Sequence, residues 1–256
     1  MISVLKNALT LQEPAVDVRQ FIAFPPSHIT EANPNDTQVP ALMVYLLNIF
    51  SKAVIAQLIA EAGITPKYAE PLGILTAQIF SNDAFIYRGV SMIDVLLAKY
   101  HVVCPVLWGF YGSEKTDAGK DAVGWWRTER PNGEFIARQT HEERMNGLGA
   151  GFAAIALRNF SKTPRQNPYP NRNFWQALSY ILNVPPAEVQ DTHLVILTAM
   201  LRASAERIVR FWGDLGLAAL KRAIVTFPAS LPQKSTASRS LELLRDIYAR
   251  EKNILI

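Results

Sequence analysis

The sequence predicts an all-α protein built as an irregular stack of antiparallel helix pairs, and three observations carry that prediction. Apolar residues recur at three- and four-residue spacing, as in Leu46, Leu47, Phe50, Val54 and Leu58, which lines one face of a helix. No segment alternates apolar and polar residues as a half-buried strand does. The periodic segments are joined by Pro-, Gly- and Asn-containing turns, and short connections make neighbouring helices antiparallel. No period of about 20 to 50 residues repeats, so a regular array is not expected and a globular bundle is the other arrangement.

In chain order, residues 1–40 read as an N-terminal helical arm followed by an irregular loop, and 41–256 as the helical unit. The loop, "FPPSHITEANPNDTQVP" (24–40), is rich in Pro, Asn and Asp. "ALMVYLLNIFSKAVIAQLIA" (41–60) approaches a membrane span, but Asn48, Ser51, Lys52 and Gln57 interrupt it, so a buried helix without membrane insertion is expected. Pro71 and Gly73 should bend or restart the next helix. "SMIDVLLAKYHVV" takes Ser91 as N-cap and stops before Pro105, which bars Cys104 from helical geometry. Residues 109–134 form a long irregular connection of the kind that often carries function. "THEERMNGLGAGFAAIALRNF" opens on a Thr140 to Glu143 capping box, and "NRNFWQALSYILN" on Asn171 or Asn173. A helix from Asp191 or Thr192 closes at Gly213. Asp214 caps another that runs to Pro228, and Leu241, Leu244, Ile247 and Tyr248 line one face of the last.

With 256 residues, 49% hydrophobic and 19% charged, the chain can bury a large core and is not disordered in composition. Its single Cys excludes an internal disulfide and fits a reducing compartment. The first residues hold no apolar stretch followed by a cleavage site, so no signal peptide is expected. Nine Lys and Arg face eleven Asp and Glu before residue 129, a net −2, whereas seventeen face eleven after it, a net +6. The second half therefore leans toward anionic partners.

The candidate catalytic residues dissolve on inspection. His101 and Cys104 offer two ligands where structural zinc takes four. The apolar neighbours of Cys104 raise a thiol pKa, which suits a buried helix end and not a nucleophile. "GLGAG" (147–151) follows a polar segment where a dinucleotide fingerprint needs a strand, so Gly147, Gly149 and Gly151 read as close helix packing. His141 sits in a helix start, His193 opens a helix and His28 lies in a loop, each without an acid-base partner in sequence. No nucleophile elbow, zinc-protease motif or P-loop is present. An enzyme would have to rest on Cys104 or His101. Binding is the better reading, and "RNFSKTPRQNPYPNR" (158–172) carries Arg158, Lys162, Arg165 and Arg172 with Phe160 and Tyr169 and no acid. That composition allows a helical adaptor that binds RNA directly, although the cations are few for nucleic-acid affinity.

Five blocks in order, "LLAKYHVVCPVLWGFYG", "VGWWR", "THEERMNGLGAGFAAI", "NFWQALSYILN" and "THLVILTAMLRASAERIVRFWG", together resemble the C-terminal domain of the Gle-type nuclear-pore mRNA export mediators, in a filamentous-fungus-like version. The resemblance covers about residues 41–250. It implies a HEAT-like fold similar to the middle domain of translation-initiation scaffolds. It also implies a regulator and not an enzyme, one that binds the DEAD-box ATPase of mRNA export, holds its two lobes apart and speeds nucleotide and RNA release. Its place would be the cytoplasmic face of the nuclear pore complex, at the nuclear envelope and in the cytoplasm. Inositol hexakisphosphate as a bridging ligand and a phenylalanine-glycine nucleoporin segment as second partner follow from the same resemblance.

By position, Lys52 and Lys99 fall where family members contact the inositol phosphate, and His101 is expected to bind it alongside them. Budding-yeast members carry a Lys-Lys pair just before the Cys-Pro, where this chain has Val102 and Val103. At about 1.5–3 kcal/mol for each charged hydrogen bond, losing two weakens the ligand by about two orders of magnitude or more. Lys67, Arg88 and His101 are the cations left to compensate.

Overall fold

This computed structural model describes residues 2–11, 14–23, 37–87, 89–129 and 133–256. His28 and Arg88 lie outside the described residues, as does most of the 24–40 loop. The described residues are mostly helical, with two short antiparallel strand pairs that the sequence pattern did not announce.

Helix α1 (Ile2–Ala8) packs on α2 (Ala41–Gln57), and strand β1 (Ala15–Asp17) pairs with β2 (Gln38–Pro40). Leu5, Ala8, Val18 and Ile22 are buried in the same core as α2. Together with the π-helical turn Leu58–Ala62, α2 is long and apolar enough to cross a bilayer by length and composition. Its Met43, Leu47, Phe50, Val54 and Leu58 are nevertheless buried in the protein core. Helix α3 (Ala69–Phe80) runs unbroken through Pro71 and Gly73, contrary to expectation. Pro71 falls in the first turn, where its missing N–H has no intrahelical partner to lose. At Gly73 a Cβ would come within 2.6 Å of Ala154 on a neighbouring helix, so the glycine serves contact and not a bend.

Strands β3 (Ile86–Tyr87) and β4 (Val90–Ser91) form a hairpin before α4 (Asp94–Val103). Ser91 is thus in a strand and does not cap α4; its hydroxyl donates to the Phe80 carbonyl instead. Cys104 ends α4, fully buried, and a 3-10 turn follows at Pro105–Trp108. The 109–134 connection is less irregular than expected, since it contains α5 (Asp117–Ala122) and a bridge from Arg127 to Phe135.

Helix α6 (Arg138–Ala156) is the centre of the stack, packed on α3 and the Leu58–Ala62 turn on one side and on α8 (Asp191–Arg202) on the other. It begins two residues before Thr140, so the expected capping box does not form; Arg138 instead pairs with Glu142 and with Asp191. Gly147 and Gly151 face Leu58, and Gly149 faces Ile196, each too close to admit a Cβ without displacement. Helix α7 (Asn171–Leu182) follows Pro170 and has no side-chain cap.

The helix expected over 191–213 breaks at Ala203–Ser204, giving α8 and α9 (Ala205–Trp212). Helix α10 (Asp214–Lys221) passes through a π-helical turn into the short α11 (Phe227–Ala229). The last amphipathic segment is likewise divided, into α12 (Thr236–Glu242) and α13 (Leu244–Ile247). Its expected inner face holds: Leu241, Leu244 and Tyr248 are buried. Two tyrosines pin the layers, with Tyr100 donating to the Leu148 carbonyl at 2.7 Å and Tyr248 to the Leu201 carbonyl at 2.6 Å.

Candidate functional site: a basic groove between two helices

Helices α2 and α4 lie side by side, and a groove of about 650 Å³ opens on their outer surface. Its α2 side is Lys52, Ile55 and Ala56, with Ile59 from the following turn; the spacing of three and four residues places them on one helix face. Lys99, Val102 and Val103 supply the α4 side by the same rule, and Trp126 with Arg144 completes it. Two lysines 47 positions apart in sequence therefore share one groove.

The electrostatics are one-sided. Partial burial, then the nearby charge of Lys52, holds the Lys99 ammonium below its ordinary pKa. The Arg144 guanidinium stacks over Trp126 at 4.9 Å from the ring centre. Among the described residues no acidic side chain lines this groove. Like charges gathered in one cleft attract an anion, so the rim suits a phosphate or carboxylate. The valines of the α4 side do not: Val103 is buried, Val102 is 55% exposed, and neither offers a side-chain donor to phosphate.

His101 is not brought to this groove. Two residues past Lys99 it points to another side of α4, edge-on to Trp108 at 5.2 Å and Phe110 at 5.3 Å. Lys67 lies beside Tyr68 and does not line the groove either. Arg144 and Trp126 escaped the sequence reading. Arg144 stood in a segment read as a polar helix start, and only the "VGWWR" block drew attention to Trp126 at all.

The other candidates take structural places. Burial drives the Cys104 thiol far above its ordinary pKa. His141 Nε2 lies 2.8 Å from the Thr192 hydroxyl, which donates to Glu114 at 2.6 Å; in that chain the imidazole is the donor. In the 158–172 segment Arg158 is engaged with Glu70 at 2.5 Å, and Tyr169 packs on Phe152. That leaves Lys162, Arg165 and Arg172 exposed to solvent, fewer cations than the RNA-adaptor reading assumed.

With the fold and groove in view, comparison with known proteins decides the family. The family model described as "GLE1-like protein" matches residues 5–224. The chain belongs to the GLE1-like family. It is similar to the mRNA export factor GLE1 of Chaetomium thermophilum, at 44% identity over 98% of this chain and 47% of that protein. The Saccharomyces cerevisiae mRNA export factor GLE1 is 28% identical over 70% of this chain and 33% of its own length. The GLE1-like chain thus spans about half or less of the length of these curated relatives. A solved S. cerevisiae complex, described as a Dbp5 C-terminal domain variant bound to Gle1 and IP6, matches with a TM-score of 0.71. The identity there is 21%, over 99% of this chain and 85% of the other, a likeness of fold.

Proposed function

We propose that this GLE1-like chain is the part of an mRNA export factor that binds and activates a DEAD-box ATPase, with inositol hexakisphosphate bridging the two. Residues 41–256 form the working unit, with 1–40 as its arm. Lys52, Lys99 and Arg144 hold phosphates at the groove rim, and His101 stays outside it. A polyanion between two basic surfaces removes the repulsion that would keep them apart. By gripping the ATPase the chain holds its lobes open and promotes release of nucleotide and RNA. That action belongs at the cytoplasmic face of the nuclear pore complex, where a phenylalanine-glycine nucleoporin segment is the second partner.

The observation that carries this reading is the convergence of Lys52 and Lys99 from separate helices on one groove lined by no acid among the described residues. Support comes from the neighbour whose description pairs Gle1 with Dbp5 and IP6. The test is the RNA-stimulated ATPase rate of the DEAD-box protein from the same organism, with and without hexakisphosphate. The chain should raise that rate, and Lys52→Ala with Lys99→Ala should remove the hexakisphosphate-dependent part. No stimulation under either condition would overturn the proposal.

A further inference from the structure

Arg144 differs from the two lysines with which it shares the groove, because its guanidinium lies over a ring that lines the same groove. The connection carrying that ring, Trp126, is held from two sides. Gly124 has a φ of +90°, and a Cβ there would come within 2.9 Å of the Val103 carbonyl oxygen at the end of α4. A side chain at 124 would be strained by the angle and blocked by the contact, so the glycine lets the connection lie against α4. Trp125 then stacks on His141, and Trp126 meets Arg144 one turn further along α6, the spacing that puts two side chains on one helix face. Behind them the Trp126 carbonyl accepts from the Ile136 N–H at 3.0 Å, and Arg127 bridges to Phe135. The ring is therefore tied both to the helix that carries Lys99 and to the helix that carries Arg144.

A guanidinium and an ammonium take anions differently. Lys52 and Lys99 end in compact charges on flexible stems that can follow an anion, whereas a guanidinium donates in its own plane, through a fork that matches two oxygens of one phosphate. An indole beneath the guanidinium leaves the edges to donate and holds the fork in place before the anion arrives. Ordering a loose side chain on binding would otherwise weaken the complex.

We propose that Trp126 is the positioning residue of the anion site: it holds the Arg144 guanidinium so that its fork takes one phosphate of hexakisphosphate through two N–H bonds. This rests on the hexakisphosphate reading above and deepens it, by naming the residue through which Arg144 acts.

The experiment titrates hexakisphosphate calorimetrically into the full chain with its DEAD-box ATPase present, after melting curves establish which variants fold. Trp126→Leu should weaken binding about three- to tenfold, the range expected when one long side chain must be ordered on binding. Trp126→Phe, which keeps a ring face, should restore it to within about twofold of the parent. In an Arg144→Ala background Trp126→Leu should have no further effect. A loss that persists there would mean that the ring touches the anion itself, and it overturns the inference, as does a Trp126→Leu chain that binds like the parent. Arg144→Lys leaves the connection intact and keeps the inference testable if Trp126→Leu does not fold. Its ammonium lacks the fork, so binding should again fall about three- to tenfold, and affinity equal to the parent overturns the inference. No binding by the parent removes the hexakisphosphate reading and this inference with it, whereas tight binding indifferent to Trp126 removes the inference alone.

Discussion

His141 lies flat against Trp125, with ring centres 4.1 Å apart and planes 13° from parallel. The stack joins the first turns of α6 to the connection behind α5, and the histidine is buried there as a neutral ring. Burial first, and the Arg144 charge second, lower its pKa to about 3. His193, also buried, is lowered to about 4 by burial, although hydrogen bonding works in the other direction. Both pKa values are depressed in the folded state, so between about 4 and 6.5 the unfolded chain binds more protons and stability rises with pH. The stability is complete above pH 6.5 and drains as pH falls toward 4. At pH 5 each histidine accounts for up to about 2 kcal/mol. Thermal melts from pH 7 to pH 5 should show a falling Tm, with a shallower fall in His141→Gln; a flat profile would mean that both rings titrate normally.

At Gly147 a Cβ would stand 2.0 Å from the Leu58 carbonyl oxygen, and the obstacle is backbone that cannot rotate away. Gly147→Ala should therefore destabilise by about 3 kcal/mol or more, outweighing the roughly 1 kcal/mol that alanine adds to a helix interior. Gly149→Ala, whose nearest neighbour would be the Ile196 carbonyl at 2.8 Å, should cost less. Urea unfolding of the two variants checks the order, and equal midpoints would contradict the packing role.

Cys104 is 0% exposed, and its thiol is held far above the ordinary range by burial. A thiol-specific disulfide reagent at pH 8 should therefore label the native chain no faster than the chain unfolds, and label it at once in denaturant. Rapid labelling of the folded protein would return the cysteine to the list of reactive groups.

How far the sequence was legible follows from the range over which each interaction acts. Cys104 before Pro105 and the glycines of α6 were readable because a proline and a missing Cβ act on the chain locally. The break at Ser204 was not, since "LRASAERIV" keeps helical propensity and only the surrounding packing divides it. Thr140 carried a capping signature, yet α6 starts earlier because Arg138 finds Asp191, 53 positions away. The candidate site divides in the same way. Lys52 and Lys99 were named by resemblance, and helix periodicity brings each to an outer face. Their meeting with Arg144 and Trp126 depends on tertiary packing that no spacing encodes, whereas the two-residue offset that turns His101 aside from Lys99 follows from the helical periodicity of α4.

Glu70 shows the same dependence on tertiary structure. Its carboxylate accepts from Arg158 at 2.5 Å and from Arg207 at 3.0 Å, joining α3, the end of α6 and α9. Both guanidinium groups are largely buried, whereas the carboxylate is 45% exposed, so water screens part of the attraction. Glu70→Gln removes the charge that keeps the two cations together and should cost about 1–3 kcal/mol. Raising salt should recover part of the loss by screening the Arg158–Arg207 repulsion. Chemical denaturation at low and high ionic strength measures both, and a salt-independent loss would point to packing and not charge.

The groove prediction follows from chemistry at its rim. Each lysine ammonium that meets a phosphate makes a charge-assisted hydrogen bond of about 1.5–3 kcal/mol. Lys52→Ala or Lys99→Ala should therefore weaken calorimetric binding of hexakisphosphate about tenfold or more, and the pair about a hundredfold or more if the two act independently. They do not act independently in the free protein, because Lys52 contributes to lowering the Lys99 pKa. Either single substitution relieves that repulsion for the lysine that remains, so each single loss is softened and the double variant should lose more than the product of the single losses. His101→Ala, with its ring against Trp108 and Phe110 away from the groove, should leave the affinity unchanged. If instead His101→Ala matched Lys99→Ala, the anion would sit on the other side of α4, and the groove between α2 and α4 would no longer be its site.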